Sequence, residues 1–167
     1  MSFFDPANFT EESISSLKEQ LSGKSIIAAS GGVDSTVAAV LVSKAVNNEL
    51  LAIYVDTGYM RLGESEFVSS MLNDLGVNHK VVDASERFYE GLKGVIDPEE
   101  KRKIIGELFI RVFEEDSIIY GGKFLVQGTI APDWIESGGG MRDTIKSHHN
   151  VGGLPELSLI HISEPTR

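Results

Sequence analysis

The chain contains no cysteine. That excludes a disulfide framework and a thiolate zinc site, and makes a reducing, cytoplasmic setting the expectation. Long apolar runs are missing too: none reaches the roughly 18 residues that a membrane span needs. The N-terminal MSFFDPANFTEES lacks the basic-then-apolar pattern of a secretory signal. Basic residues are scarce, with 15 Lys and Arg against 25 Asp and Glu, and the formal net charge is −10. This balance argues against an extended nucleic-acid surface. It leaves room for a phosphate ligand, because a few backbone N–H groups and one lysine hold phosphate locally. Neither a nucleic acid nor a membrane is therefore an expected partner. The 167 residues are 41% hydrophobic and 24% charged, as in one ordinary globular domain.

Buried strands alternate with amphipathic helices along the chain. Residues 1–9 read as a loose arm. Thr10 is a candidate N-cap for a helix over 11–22, with Ile14, Leu17 and Leu21 on one face. Ser25 to Ser30 and Leu50 to Val55 are apolar without polar alternation, which suits strands buried on both faces of a parallel sheet. Helices are expected from Ser35 to Val46 and from Glu64 to Leu75, the second stopped at Gly76. A short strand follows over His79 to Val82. Asp97-Pro98-Glu99-Glu100 is a strong helix start. Behind it Ile104, Ile105, Leu108, Phe109, Val112 and Phe113 form a stripe best read as core packing. Phe124 to Gln127 is a fourth strand, and residues 137–153 read as a loop. No internal repeat is visible. Such alternation means βαβ units, hence an α/β fold on a parallel sheet whose ligands sit at the carboxyl ends of the strands.

Three segments fall at those ends: Ser30 to Ser35, Asp56 to Gly58, and Gly128 to Asp133. The first, Ser30-Gly31-Gly32-Val33-Asp34-Ser35, is the most informative. Its glycines let the backbone bend and approach a ligand, and the N–H groups of the following helix point at an anion. Ser30 and Ser35 add hydroxyl donors. Asp34 would repel phosphate unless a cation such as Mg²⁺ lay between them. The loop lacks the closing Gly-Lys-Ser/Thr of a Walker A motif and the Gly-x-Gly-x-x-Gly of a dinucleotide fingerprint. The plainer alternative is a strand-to-helix turn with Asp34 as N-cap.

This hexapeptide resembles the pyrophosphate loop of the N-type ATP pyrophosphatases. Four later segments resemble the GMP synthetase branch of that family, in the same order: VDTGYMR (55–61), DPEEKRKIIGELFIRVFEE (97–115), VQGTIAPDWIES (126–137) and IKSHHNVGGLP (145–155). The resemblance covers about residues 5–155 and is nearest to the separate ATP-pyrophosphatase subunit of two-subunit archaeal-type enzymes. It implies a three-layer sandwich of the adenine nucleotide α-hydrolase type, incomplete at its C-terminus. The implied reaction is amination of xanthosine 5′-monophosphate (XMP) to GMP through an adenylyl-XMP intermediate, using ATP and Mg²⁺. Ammonia would come from a partner glutamine amidotransferase subunit, and the full-length protein would be a homodimer.

The resemblance also implies roles. Ser30, Gly31, Gly32, Val33, Asp34 and Ser35 would hold pyrophosphate, with Asp34 on the metal. Val55, Asp56, Thr57 and Gly58 would border the nucleoside half of ATP, and Gln127, Gly128 and Thr129 the α-phosphate. Asp133 is a candidate for metal or substrate. Lys146 would be a lid cation acting with Asp34 and Ser35 in catalysis, the alternative being a solvated loop lysine. His148 and His149 suit hydrogen bonds to phosphate better than metal ligation, since adjacent side chains on an extended loop point opposite ways. Residues 10–156 are expected to form the pyrophosphatase domain, with the dimerisation domain absent. LSLIHISEPTR (157–167) departs from the pattern, resembles translated adaptor read-through, and is expected to be a non-native tail. Two rival readings stay open: another N-type pyrophosphatase such as NAD synthetase or a tRNA-thiolating enzyme, and a non-catalytic adenine-nucleotide-binding module.

Overall fold

The computed structural model describes residues 5–47, 49–128 and 158–162. Its elements run α1 (Pro6–Gln20), β1 (Ser25–Ala28), α2 (Val33–Ala45), β2 (Leu50–Asp56), α3 (Glu64–Asp74), β3 (His79–Asp83), α4 (Ser85–Leu92), α5 (Pro98–Tyr120), β4 (Phe124–Gly128) and β5 (Ser158–Ile162). The strands form one sheet in the order β3-β2-β1-β4-β5. Every pairing is parallel. Strand β1 therefore lies between β2 and β4, and the chain leaves it at the point where strand order reverses.

The unbroken apolar runs are explained by burial on both faces. Side chains alternate across a strand. Ile27, Leu50, Ala52 and Tyr54 pack with Leu17, Ala38, Val42 and Leu72 of α1, α2 and α3. On the other face Ile26, Leu51, Ile53 and Val55 pack with Phe88 of α4 and with Val112 and Phe113 of α5. The result is a three-layer α/β/α sandwich, as expected.

Helix α5 follows its sequence signals closely. Asp97 caps it, one carboxylate oxygen accepting the Glu100 N–H at 2.9 Å, and Pro98 fills the first position. It stops at Gly121, whose φ of 74° is left-handed and whose N–H returns to the Ser117 and Ile118 carbonyls. Lys80 of β3 reaches Asp116 of α5 at 2.9 Å, and Arg87 of α4 reaches Glu115 at 2.8 Å. The second pair is exposed on both sides and contributes at most about 1 kcal/mol.

Two helix starts are corrected, and two further elements are unexpected. Helix α1 begins at Pro6, inside the supposed arm. Asp5 caps it by accepting the Ala7 N–H at 2.9 Å. Thr10 is helical, its hydroxyl donating to the Pro6 carbonyl at 2.8 Å. The aspartate-proline start, the same signal as at Asp97, outweighs the threonine. Helix α2 begins at Val33 rather than Ser35, with Gly32 and not Asp34 in the N-cap position. Helix α4 has no counterpart among the sequence-based expectations. Ala84, Phe88 and Leu92 recur at helical spacing, and Asp83 accepts both the Ser85 N–H and the Ser85 hydroxyl. Ser158–Ile162, within the segment expected to be a non-native tail, lies as a strand beside β4.

Phe88 is completely buried, whereas Leu62 is fully exposed. Phe88→Ala should cost about 3–5 kcal/mol of unfolding free energy. Leu62→Ala should stay within about 0.5 kcal/mol of the parent. Urea denaturation of both variants checks the contrast, and equal losses would contradict the packing described. Asp83 carries a pH signature. Its carboxyl is held below the ordinary aspartate range by the Ser85 hydroxyl and then by the Ser85 N–H. A depressed folded-state value gives stability that is present above the unfolded pKa of about 4 and is lost as pH falls below it. Asp83→Asn should therefore flatten the acid limb of the stability–pH curve below about pH 4. An unchanged limb would show that the carboxylate does not stabilise the start of α4.

Candidate active site

The carboxyl edge of the sheet is built around the exit of β1. The last ladder bond runs from the Ala29 N–H to the Ile53 carbonyl at 2.9 Å. Past it the backbone turns through Gly31, at φ +77°, into α2. A side chain at Gly31 would be strained and would also meet Val68 at 2.7 Å. Glycine therefore lets β1 turn tightly under α3.

The loop is held by its own hydroxyls. The Ser30 and Ser35 oxygens lie 3.0 Å apart. The Gly32 N–H donates to Ser30 Oγ at 3.3 Å, and the Ser30 N–H to Ser35 Oγ at 3.3 Å. The Ser35 and Thr36 hydroxyls both donate to the Gly32 carbonyl, at 3.2 and 2.8 Å. The first intrahelical bond joins the Thr36 N–H to the same carbonyl. Val33, Asp34 and Ser35 thus occupy the first helical turn, where N–H groups have no intrahelical acceptor. Those groups and the helix dipole form a concentrated donor set for an anion, and the Ser30 and Ser35 hydroxyls join it on rotating away from their partners within the loop. Val33 contributes only its N–H, since its side chain is 76% exposed. Asp34 stands exposed on the first turn of α2.

The end of β2 is built differently. Val55 is buried in the core, so only its backbone faces the edge. Asp56 accepts the Gly58 N–H at 2.8 Å and, through its other oxygen, the Ser65 hydroxyl. Its carboxylate folds the turn and ties it to α3. Gly58 sits at φ +77°, and a side chain there would overlap Tyr89 and Ser85.

Two cavities open at this edge, with Ile105 of α5 in the wall of both. One, of about 430 Å³, begins at Ser30 and Ser35 and runs past Ala28, Phe109, Leu125 and Gln127. The other, of about 450 Å³, is bordered by Thr57, Tyr59, Phe88 and Lys101. The expected residues are thus divided. Ser30, Ser35 and Gln127 share a cavity, Thr57 borders the second, and Val55 lines neither. Gly128 ends β4 on the same edge. Thr129, Asp133, Lys146, His148 and His149 lie outside the described residues. Among the described residues no group of three or more His, Asp or Glu is placed to hold a metal. A lone carboxylate at Asp34 still suits Mg²⁺, which binds through one or two carboxylates plus phosphate oxygens. Sequence reading misses the α5 wall of the site, because the Ile105–Phe109 stripe reads as core throughout.

The chain is similar to known proteins in both sequence and fold. Residues 24–103 match the phosphoadenosine phosphosulfate reductase domain family. The chain is 57% identical over 162 residues to the B subunit of the glutamine-hydrolyzing GMP synthase of Thermococcus kodakarensis, covering 96% of this chain and 52% of that one. It is 56% identical over 166 residues to the B subunit of the same name from Methanocaldococcus jannaschii, again covering 52% of it. Along nearly its whole length the chain is similar to GMP synthase B subunits. It spans about half the length of the curated relatives it matches. Among solved structures, NH3-dependent NAD synthetase from Campylobacter jejuni superposes with a TM-score of 0.68 at 15% identity, covering 82% of this chain and 62% of that one. NMN synthetase from Francisella tularensis gives 0.66 at 14% identity, covering 92% and 73%. These two share the fold, a parallel-sheet α/β/α sandwich, as expected from the sequence. No helix among the described residues is long and apolar enough to cross a membrane.

Two glycines at φ +77° separate strain from overlap. Gly58 is crowded by Tyr89, while a side chain at Gly63 would meet nothing within 4 Å. Gly63→Ala should cost about 1–2 kcal/mol, the left-handed backbone penalty alone. Gly58→Ala should cost at least about 1 kcal/mol more, because the turn or Tyr89 must move. Denaturant midpoints measure both, and equal penalties would contradict the crowding at Gly58.

Proposed function

We propose that this chain is the ATP-pyrophosphatase part of a GMP synthase B subunit, with the expected domain, residues 10–156, extended at its start to Pro6 by helix α1. The observation that carries the reading is the anion-binding loop at the strand-order reversal, in a chain this similar to GMP synthase B subunits along nearly its whole length. ATP lies with its β and γ phosphates on Ser30 to Ser35. Its nucleoside half lies along the Val55–Gly58 turn, and its α-phosphate by Gln127, Gly128 and Thr129. Mg²⁺, when bound to the phosphates at Asp34, supplies the positive charge that lets a carboxylate stand there.

The XMP C2 oxygen attacks the α-phosphorus, and the bond to the bridging α–β oxygen breaks. Pyrophosphate departs carrying that electron pair. Its growing charge is met by the N–H groups of Val33, Asp34 and Ser35, donors fixed before the reaction begins, and by the Ser30 and Ser35 hydroxyls once they rotate away from their partners within the loop. Ammonia then adds at C2, AMP leaves with the former C2 oxygen, and loss of a proton gives GMP. Lys146 supplies a further cation to the phosphates, and His148 and His149 supply hydrogen bonds. Asp133 faces substrate or metal. The ammonia source is a partner glutaminase subunit, and the complete protein acts as a homodimer. The setting is cytoplasmic.

The test is AMP release by the complete polypeptide encoded by the source gene, supplied with ATP, Mg²⁺, XMP and ammonium. Release should require XMP. Asp34→Asn and Ser35→Ala should each lower it by roughly 10²-fold or more, with unchanged far-UV circular dichroism. Release driven equally well by nicotinic acid adenine dinucleotide would move the protein to another branch of the family. Nucleotide binding without any pyrophosphate production would make it a non-catalytic module.

A further inference from the structure

We propose that Tyr89 of α4 is a positioning residue for the nucleotide site, holding the Thr57–Gly58–Tyr59 turn in its working conformation. The inference rests on the ATP-dependent reading above, because it concerns the turn assigned to the nucleoside half. Three contacts meet at this one side chain. The Tyr89 hydroxyl donates to the Gly58 carbonyl at 2.9 Å. Its ring meets the Tyr59 ring edge-on, with centroids 5.3 Å apart and planes at 88°. Its Cζ would lie 2.6 Å from a Cβ on Gly58, so it closes against the bare Cα that the positive φ requires.

On the α3 side Asp56 accepts the Gly58 N–H and the Ser65 hydroxyl, and within the turn the Tyr59 N–H donates to the Thr57 hydroxyl at 3.4 Å. Tyr89 supplies the opposing hold from α4. The Gly58 peptide is thus gripped at its N–H by β2 and at its carbonyl by α4. This fixes the direction in which Thr57 and Tyr59 face the cavity they border. Tyr59 is 58% exposed, so little else restrains its ring than the edge contact with Tyr89. Tyr89 is itself 48% exposed. Removing its hydroxyl opens no core cavity, which separates a positioning role from a structural one.

The experiment compares Tyr89→Phe and Tyr89→Ala with the parent in the complete polypeptide. Steady-state AMP release gives kcat and the KM for ATP, and calorimetry gives the Kd for ATP with Mg²⁺. Tyr89→Phe should raise the KM and Kd for ATP roughly three- to tenfold, as expected for one lost neutral hydrogen bond, with kcat within about twofold. Tyr89→Ala, which also frees the Tyr59 ring, should raise them further. The melting temperature of Tyr89→Phe should stay within about 2 °C of the parent, as for a surface change. Unchanged ATP affinity in both variants would overturn the proposal. So would a fall in kcat and melting temperature with KM unmoved. If the parent binds ATP but shows no XMP-dependent release, the reaction assignment has failed, and the Kd comparison still decides the role of Tyr89. A parent that binds no ATP would overturn both.

Discussion

The central position of β1 is the constraint on which the rest depends. A strand of four residues is hydrogen-bonded on both sides, by β2 and by β4, and covered on both faces. Nothing at its exit can shift sideways without breaking a ladder. The ladder ends at Ala29, and from there the backbone donors pass from the sheet to the loop. A parallel strand entering a helix leaves its donors aimed outward at one spot. The flanking ends of β2 and β4 then become the two banks of that spot because of strand order.

Charge follows the same local logic. The chain carries a formal net charge of −10, yet the donor set it presents at the loop is built for anions. No cluster of lysines is required, because three N–H groups at the start of α2 and two hydroxyls act at contact distance. The negative surroundings are screened by solvent over about 10 Å at ordinary salt. Asp34 is the exception, and on the proposed reading a cation between it and the phosphate would offset the repulsion, as in a metal-complexed nucleotide.

Much of this architecture is legible in the residues. Strands without alternation announce a sheet covered on both faces, and Asp97-Pro98 marks the start of α5, the longest helix among the described residues. The loop at Ser30 stands out because glycine, hydroxyl and carboxylate residues follow a buried strand. What is missed has physical causes. Helix α4 is only eight residues long, too short for an apolar stripe to stand out beside its polar positions. The α5 wall reads as core because Ile105 and Phe109 share a stripe with Val112 and Phe113, and periodicity cannot say where along a helix the sheet ends. The role of Asp56 as a turn-former is hidden too. Its partner Ser65 lies on the next helix, and no spacing rule connects a strand end to that position.

The crowding at Gly58 has a consequence for how this sequence can vary. Residues 58 and 89 occupy one shared volume, so residue 58 cannot grow while Tyr89 stands. Even with a smaller residue at 89, a side chain at 58 would meet Ser85 and a left-handed backbone, so glycine at 58 is what leaves room for an aromatic at 89. The two positions, 31 residues apart, should therefore behave as a single heritable unit, tending to be kept or lost together.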